Sequence, residues 1–166
     1  MHVIGIDPGL TGALSMIGHQ GEFKHLADVP TMQRMVEAKK GRVMNQVNCA
    51  AAREILRDWL QDIDREAVHV VIELPIAFPG QNVGSVAASF LTAGHLEATV
   101  ASLGLAHTLV RPAEWKKALK LTSSKEQCRA SAIRRWPAAA PLLKRVMDHN
   151  RAESLLLALY GHERFN

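Results

Sequence analysis

A run of β-branched and aliphatic residues at Val68–Leu74, interrupted by one histidine, constrains the fold more than any other part of the sequence. Such a run is typical of a strand buried on both faces, as strands are in parallel sheets covered by helices on either side. The run ends in Glu73-Leu74-Pro75, so a carboxylate closes an otherwise apolar strand. Because a buried carboxylate is costly unless it pairs, titrates or binds a cation, we expect Glu73 to have a function.

Three shorter β-rich segments precede this run. They lie at His2–Ile6, which ends at Asp7, at Ala13–Ile17 and at Glu22–Val29, with Gly-containing turns between them. Connections this short predict antiparallel pairing, because parallel pairs need a long crossover. The polar and basic stretch Thr31–Met44 that follows is predicted to be a mobile loop.

The rest of the chain alternates between predicted helices and one further strand. Apolar residues at helical spacing predict a helix over Asn45–Arg65, and small residues fill a long helix over Val83–Leu103. The last predicted elements are a strand at Leu105–Val110 and helices at Ala113–Leu119, Ser124–Trp136 and His149–Gly161. This order predicts one α/β domain over residues 1–166: a mixed five-stranded sheet, an antiparallel meander plus parallel strands, with helices on both faces.

The amino-acid composition limits the classes of protein to which the chain can belong. Hydrophobic residues make up 48% and charged residues 22%, as in ordinary globular domains. No apolar run approaches the roughly 18 residues of a membrane-spanning helix, and the start lacks the features of a signal peptide. Cys49 and Cys128 form no disulfide framework, so we expect a cytoplasmic protein without membrane contact. The net charge of +4 suits a polyanionic partner.

Acidic residues follow the predicted strands and open the last helix. If the strands ending at Asp7 and Glu73 are parallel neighbours, both carboxylates emerge at the edge where α/β sheets bind ligands. The alternative for Asp7 is turn chemistry, since Asp-Pro-Gly is a common turn sequence. Asp148 and Glu153 open the last helix. The alternative is that Asp148 caps this helix and Glu153 is solvated.

Together these four carboxylates predict a metal site. Two like charges about 4 Å apart repel by roughly 4 kcal/mol at an effective dielectric constant near 20. The cluster therefore raises its own pKa values or binds cations, and hard oxygen ligands suit Mg²⁺, with Mn²⁺ as the alternative. Two ions bridged by carboxylates activate a water and stabilise the leaving oxygen in phosphodiester hydrolysis.

Four short motifs, in order along nearly the whole chain, resemble a known family. They are Gly5-Ile6-Asp7-Pro8-Gly9-Leu10-Thr11-Gly12, then Val71-Ile72-Glu73, then Arg111–Leu119 with Ser124-Lys125-Glu126, and finally Asp148-His149-Asn150-Arg151-Ala152-Glu153 with the apolar residues after it. This set is similar to RuvC-type Holliday junction resolvases of the RNase H-like nuclease superfamily, in the form of the phage and organellar branches.

The resemblance implies a homodimeric, Mg²⁺-dependent endonuclease that cuts four-way DNA junctions symmetrically. Asp7, Glu73, Asp148 and Glu153 are its expected metal ligands. Bacterial members place the last two ligands three residues apart, and here Asn150 stands three before Glu153. On a helix Asn150 lies about 60° from Glu153 and Asp148 about 140°. We favour Asp148 because an ionised carboxylate is the better ligand, and Asn150 is its alternative.

The resemblance also implies DNA-binding residues. Lys125, with Lys116 second, is expected to stabilise charge on the scissile phosphate. Phosphate contacts are expected from Lys116, Lys117, Lys125, Arg129 and Arg151, although Arg151 equally suits the neutralisation of nearby carboxylates. In the loop after Glu73, Phe78 is expected to stack on a base and Gln81 to pair with a base edge. The basic segment Glu37–Arg42 either clamps a DNA arm or is solvated. The small-residue helix either packs within the chain, which is the default, or forms the dimer contact through which family members pair.

Three alternatives are open. The first is a protein of the same fold that binds branched DNA without cutting it, and the second is another RNase H-like nuclease acting on hybrid duplexes. The third is an actin-like or sugar-kinase ATPase, which also opens with an Asp-containing glycine turn. Such enzymes clamp nucleotide between two domains, and 166 residues provide one, so we expect no nucleotide cofactor.

Overall fold

The structure is a computed structural model that describes residues 1–36 and 42–165. In these residues there are seven strands and five α-helices. The strands are β1 (His2–Asp7), β2 (Ala13–Ile17), β3 (Phe23–Asp28), β4 (Thr31–Val36), β5 (Arg42–Val47), β6 (Val68–Glu73) and β7 (Ala106–Val110). The helices are α1 (Cys49–Trp59), α2 (Val83–Ser102), α3 (Pro112–Ala118), α4 (Lys125–Arg135) and α5 (His149–Phe165).

The central sheet has five strands in the order β3-β2-β1-β6-β7. Strands β1, β2 and β3 pair antiparallel as a meander, and β6 pairs parallel with both β1 and β7. The parallel pairs are joined by chain segments that contain α1 and α2, as parallel connections require. The predicted mixed α/β sheet is therefore confirmed.

Side-chain alternation along β1 and β6 divides the interior into two cores. Ile4 and Ile6 pack on the side that also contains Leu56 of α1 and Leu96 of α2. Val3, by contrast, belongs to the core that contains the side chains of α3, α4 and α5. Because alternate residues of a strand share a face, Asp7 emerges on the α5 side. The same alternation from Val71 places Glu73 there, and Ile6 pairs with Ile72, so the two carboxylates are adjacent.

Helix α5 lies directly on β1 because the strand has a glycine at the crossing. A Cβ atom at Gly5 would lie 2.0 Å from the carbonyl oxygen of Ser154 and 2.6 Å from the amide nitrogen of Ala158. Gly161 serves the same purpose near the other end of α5, where a Cβ would lie 2.5 Å from Cγ2 of Val71. The close approach fixes the height of α5 above the sheet and so the position of Glu153.

The prediction of a loop over Thr31–Met44 is wrong, because β4 and β5 form an antiparallel hairpin there. Its base is anchored by the buried side chains of Val29 and Val47 and by a 2.8 Å hydrogen bond from the Asn48 amide to the Pro30 carbonyl. The hairpin carries polar and exposed side chains, and Met35 is 79% exposed. A strand without a buried face lacks the apolar alternation that marks strands in a sequence.

We expected the segment Glu37–Arg42 to clamp a DNA arm or to be solvated; its residues 37–41 lie outside the described part of the chain, and Arg42 begins β5. The helix predicted over Asn45–Arg65 is shorter at both ends, since its first residues belong to β5. It begins after Asn48, whose Oδ1 accepts a 3.1 Å hydrogen bond from the Ala51 amide. No helix within residues 1–36 and 42–165 is long and apolar enough to cross a membrane.

We predict that Gly5→Ala lowers the free energy of unfolding by about 3 kcal/mol, because its methyl group meets backbone atoms of α5 that cannot move alone. Urea denaturation measures the effect. Gly94→Ala is the matched control: nothing lies within 4 Å of its Cβ position in α2, and alanine favours a helix by up to about 1 kcal/mol. Equal stability of the Gly5→Ala protein and the native protein would contradict the packing described for α5 and β1.

Candidate metal centre

Three carboxylates from distant parts of the chain act on one another at the end of β1. The pKa of Asp7 is raised to about 8, first by burial and then by the negative charges of Glu73 and Glu153. Lys116 and Lys125 oppose this rise with their positive charges. Glu153 itself is 9% exposed on the face of α5 turned to the sheet. Asp7 is thus electrostatically coupled to Glu73 and Glu153, and a metal site shared by these carboxylates stays a prediction.

Trp115 of α3 fixes the position of Glu73. The indole Nε1–H donates a 2.7 Å hydrogen bond to Oε2 of Glu73, and the indole ring is fully buried. Burial raises the pKa of Glu73, while this hydrogen bond works in the opposite direction. From the sequence we assigned Trp115 no role at the site. The sequence offered only a general indication of this contact, namely that a buried tryptophan needs an acceptor for its N–H.

Lys116, the next residue of α3, binds Glu153. Its Nζ lies 2.7 Å from Oε1 of Glu153, and 5.0 Å from the centre of the Trp115 ring. Burial alone would lower the pKa of Lys116, but the hydrogen bond and the charge of Glu153 outweigh it and raise that pKa. The lysine that we expected to contact phosphate is therefore part of the acidic cluster. Its contact with DNA stays a prediction.

The carboxylate of Asp148 is bound by Arg145. It ends a short 3₁₀ turn, Val146–Asp148, directly before α5, and its side chain is 4% exposed. The carboxylate accepts hydrogen bonds from the Arg145 backbone amide at 2.7 Å, from Nε at 3.0 Å and from Nη2 at 2.8 Å. Burial would raise its pKa, but these bonds and the charge of Arg145 hold the pKa of Asp148 below its usual value.

Asn150 lies against the loop that follows Asp7. Its Nδ2 donates to the Thr11 carbonyl oxygen at 2.7 Å and to the Thr11 hydroxyl at 3.1 Å. This leaves Oδ1 as the acceptor of the same amide. Asn150 is also one helical turn before Glu153, on the same side of α5. The geometry thus places the alternative fourth ligand beside the loop after β1.

The donor set has the chemistry of a divalent cation site. Asp7, Glu73 and Glu153 offer hard oxygen atoms, and burial together with the two neighbouring negative charges raises the pKa of Asp7. Within the described ranges, no group of three or more His, Cys, Asp or Glu side chains is arranged to hold a metal ion. The ammonium group of Lys116 occupies Oε1 of Glu153, an oxygen that a cation would need.

The other expected phosphate ligands have different surroundings. Lys125 begins α4, is exposed, and lines a cavity of about 540 Å³ together with Arg145, Asn150 and Arg151. Arg129 is tied to the protein, since its Nη1 donates to the Leu143 carbonyl at 3.1 Å. Lys125 is therefore the expected phosphate ligand whose exposure and position beside Asp7 best suit that role.

Arg151 neutralises carboxylates, which is one of its two expected roles. Its Nε and Nη2 each lie 2.6 Å from a carboxylate oxygen of Asp28, at the end of β3. Its Nη1 donates to the Leu142 carbonyl at 3.0 Å. A phosphate contact by Arg151 stays a prediction.

The loop after Glu73 borders a second cavity. This cavity has a volume of about 560 Å³ and is lined by Glu73, Ile76, Phe78 and Lys117, among others. Phe78 is 60% exposed, and its backbone amide donates a 2.8 Å hydrogen bond to Oε1 of Gln81. The aromatic ring expected to stack on a base is thus presented to solvent beside the acidic cluster, and the stacking itself stays a prediction.

We predict that the metal-free protein loses stability as the pH rises from about 4 to 8. The unfolded chain releases the Asp7 proton near pH 4, whereas the folded chain keeps it up to about pH 8. Asp7 alone therefore lowers the free energy of unfolding by at most about 1.4 kcal/mol per pH unit in this interval.

Urea denaturation in EDTA, from pH 5 to 8, measures this slope. Asp7→Asn should flatten it, and a saturating divalent cation should flatten it in the native protein because a cation binds the ionised carboxylate. Parallel pH profiles for the Asp7→Asn and native proteins in EDTA would show that Asp7 titrates normally.

A scan against models of known protein families finds no match, and a search of curated proteins finds none. Among solved structures, the chain is similar to T. thermophilus RuvC in complex with a Holliday junction substrate, with 14% identity and a TM-score of 0.58 over 99% of this chain and 96% of that one. A second T. thermophilus RuvC structure has 14% identity and a TM-score of 0.53, over 99% and 97%. The chain therefore has the RuvC-like form of the RNase H-like fold that its motifs predicted.

Proposed function

We propose that the chain is a metal-dependent endonuclease that resolves four-way DNA junctions. The observation that carries this proposal is the burial of Asp7 beside the negative charges of Glu73 and Glu153, which together raise the pKa of Asp7 to about 8 at the edge of a RuvC-like sheet. The solved relative holds a Holliday junction substrate, and the net charge of +4 suits DNA.

In this proposal Asp7, Glu73 and Glu153 hold Mg²⁺, or Mn²⁺, with two ions at the site. The bound ions would supply an activated water and charge stabilisation for phosphodiester hydrolysis. The protein contributes orientation: the indole of Trp115 keeps Glu73 in one position through its 2.7 Å hydrogen bond. Lys116 would release Oε1 of Glu153 when a cation is bound there, and its ammonium charge would remain beside the site for the phosphate.

DNA binding in this proposal combines charge with a stacking surface. Lys125 and Lys117 are exposed and line two separate cavities, of which the one at Lys117 is also lined by Glu73, and each lysine neutralises a phosphate. Phe78 stacks on a DNA base, since its ring is 60% exposed in the loop between Glu73 and α2. Gln81 is held beside it by its hydrogen bond to the Phe78 amide.

A second candidate function is the binding of branched DNA without cleavage. One observation favours it: Lys116 already neutralises Glu153, and the described residues hold no ready group of three metal ligands. A plasmid that extrudes a cruciform separates the two candidates. The endonuclease linearises this plasmid in Mg²⁺ and not in EDTA, whereas the binding protein shifts its mobility in both and never cuts it.

We predict that Asp7→Asn and Glu73→Gln each lower the rate of junction cleavage by about 10³-fold, since each removes an ionised oxygen donor at the reacting phosphate. Binding to a synthetic four-way junction should persist, because the basic residues are unchanged. Single-turnover cleavage and gel mobility shifts measure the two quantities. Glu66→Gln, an exposed change outside the cluster, is the matched control. Undiminished cleavage by both variants would reject the assignment of Asp7 and Glu73 as metal ligands.

We further propose that two copies of the chain pair through α2. Its first half is apolar and exposed: Val83 is 82%, Phe90 43% and Leu91 56% exposed. Small residues such as Gly84 and Ala87 allow close approach of a second helix. A junction with two strands to cut also suits a symmetric pair of sites.

We predict that Leu91→Glu converts the dimer to a monomer at micromolar concentration, because a charge is then desolvated in the contact. Sedimentation velocity measures the change. Val146→Glu is the control, since Val146 is 85% exposed and lies outside α2. A native protein that sediments as a monomer would refute the pairing and leave the metal centre unaffected.

A further inference from the structure

The start of α5 is held in place by a chain of four charged side chains from three segments. Arg151 of α5 binds Asp28 at the end of β3 through two contacts of 2.6 Å. The Nη1 of Arg151 also lies 3.7 Å from Oδ1 of Asp148. Asp148 in turn binds Arg145, so the ion pairs run from the sheet edge to the turn before α5 without interruption.

The carboxylate of Asp148 has both of its oxygen atoms occupied. Oδ2 accepts the backbone N–H of Arg145 at 2.7 Å, and Oδ1 accepts Nε and Nη2 of the same residue at 3.0 and 2.8 Å. The Asp148 amide donates back to the Arg145 carbonyl at 3.0 Å, which closes the turn. A carboxylate with this set of donors is compensated in charge and fixed in direction, as helix-capping carboxylates are.

Two residues of the proposed metal centre follow directly after this turn. Asn150 contacts Thr11 in the loop after Asp7, and Glu153 lies one turn further along α5. Asn150 and Glu153 are separated by about 60° around the helix, whereas Asp148 and Glu153 are separated by about 140°. The rotation of the first turn of α5 therefore decides whether Asn150 and Glu153 reach Asp7 together.

We propose that Asp148 is a positioning residue, which together with Arg145 sets the first turn of α5, and that it is not a metal ligand. The inference rests on the proposed function, since it concerns the same metal centre. It assigns to Asp148 and Arg145 the role of holding Glu153 and Asn150 at the site. The oxygen that we assigned to Asp148 from the sequence then comes from Oδ1 of Asn150.

Isothermal titration with Mn²⁺ tests this role without any cleavage step. Positioning predicts that Arg145→Ala and Asp148→Ala each weaken Mn²⁺ binding about 10-fold, as outer partners of metal ligands do. The double variant should be weakened by about the same factor, because both changes break one unit. Arg145 is 60% exposed, so its truncation leaves the core intact.

A ligand role for Asp148 predicts the opposite response at Arg145. Removing the competing guanidinium would then free the carboxylate, and Arg145→Ala would bind Mn²⁺ as tightly as the native protein or more tightly. That result overturns the inference, as does a loss for Asp148→Ala as large as that for Asp7→Asn. Lys144→Ala, an exposed neighbouring change, controls for nonspecific charge effects. A native protein that binds no Mn²⁺ would instead refute the proposed function, so the two failures are distinguishable.

Discussion

The contact of α5 with β1 at Gly5 is the constraint on which the rest of the site depends. A strand and a helix that touch through backbone atoms have one relative height, because no side chain between them can adapt. A Cβ atom at Gly5 would lie 2.0 Å from the Ser154 carbonyl oxygen. Glu153, the residue before Ser154, is therefore carried to the level at which Asp7 leaves the strand. The position of the acidic cluster therefore depends first on backbone packing and only then on side-chain chemistry.

Folding this cluster without a cation requires two compensations. Asp7 keeps its proton to about pH 8, and Glu153 binds Lys116 at 2.7 Å. The buried Asp148 carboxylate is instead compensated by the guanidinium group of Arg145, which stays charged at any pH the protein meets. Asp148 and Glu153, five residues apart, thus differ in how their negative charge is compensated: by an arginine of the same turn for Asp148 and by a lysine of α3 for Glu153.

Much of this arrangement could be predicted from the sequence. The apolar run that ends at Glu73 predicted a central parallel strand, and the short turns after Asp7 predicted the meander. Both predictions succeeded because burial and turn length can be inferred from local residue patterns. The hairpin of β4 and β5 was missed because its strands have no buried face. The partners of Asp148 and Glu73 were also missed, since hydrogen bonds to Arg145 and Trp115 depend on side-chain directions that no spacing rule gives.

Helix α3 has seven residues, and two consecutive ones contact two different carboxylates of the cluster. Trp115 holds Glu73 by its indole N–H, and Lys116 holds Glu153 by its ammonium group. Any rigid shift of this short helix therefore moves both restraints together. A molecule bound to the exposed side of α3 would thus shift Glu73 and Glu153 together without contact with either carboxylate.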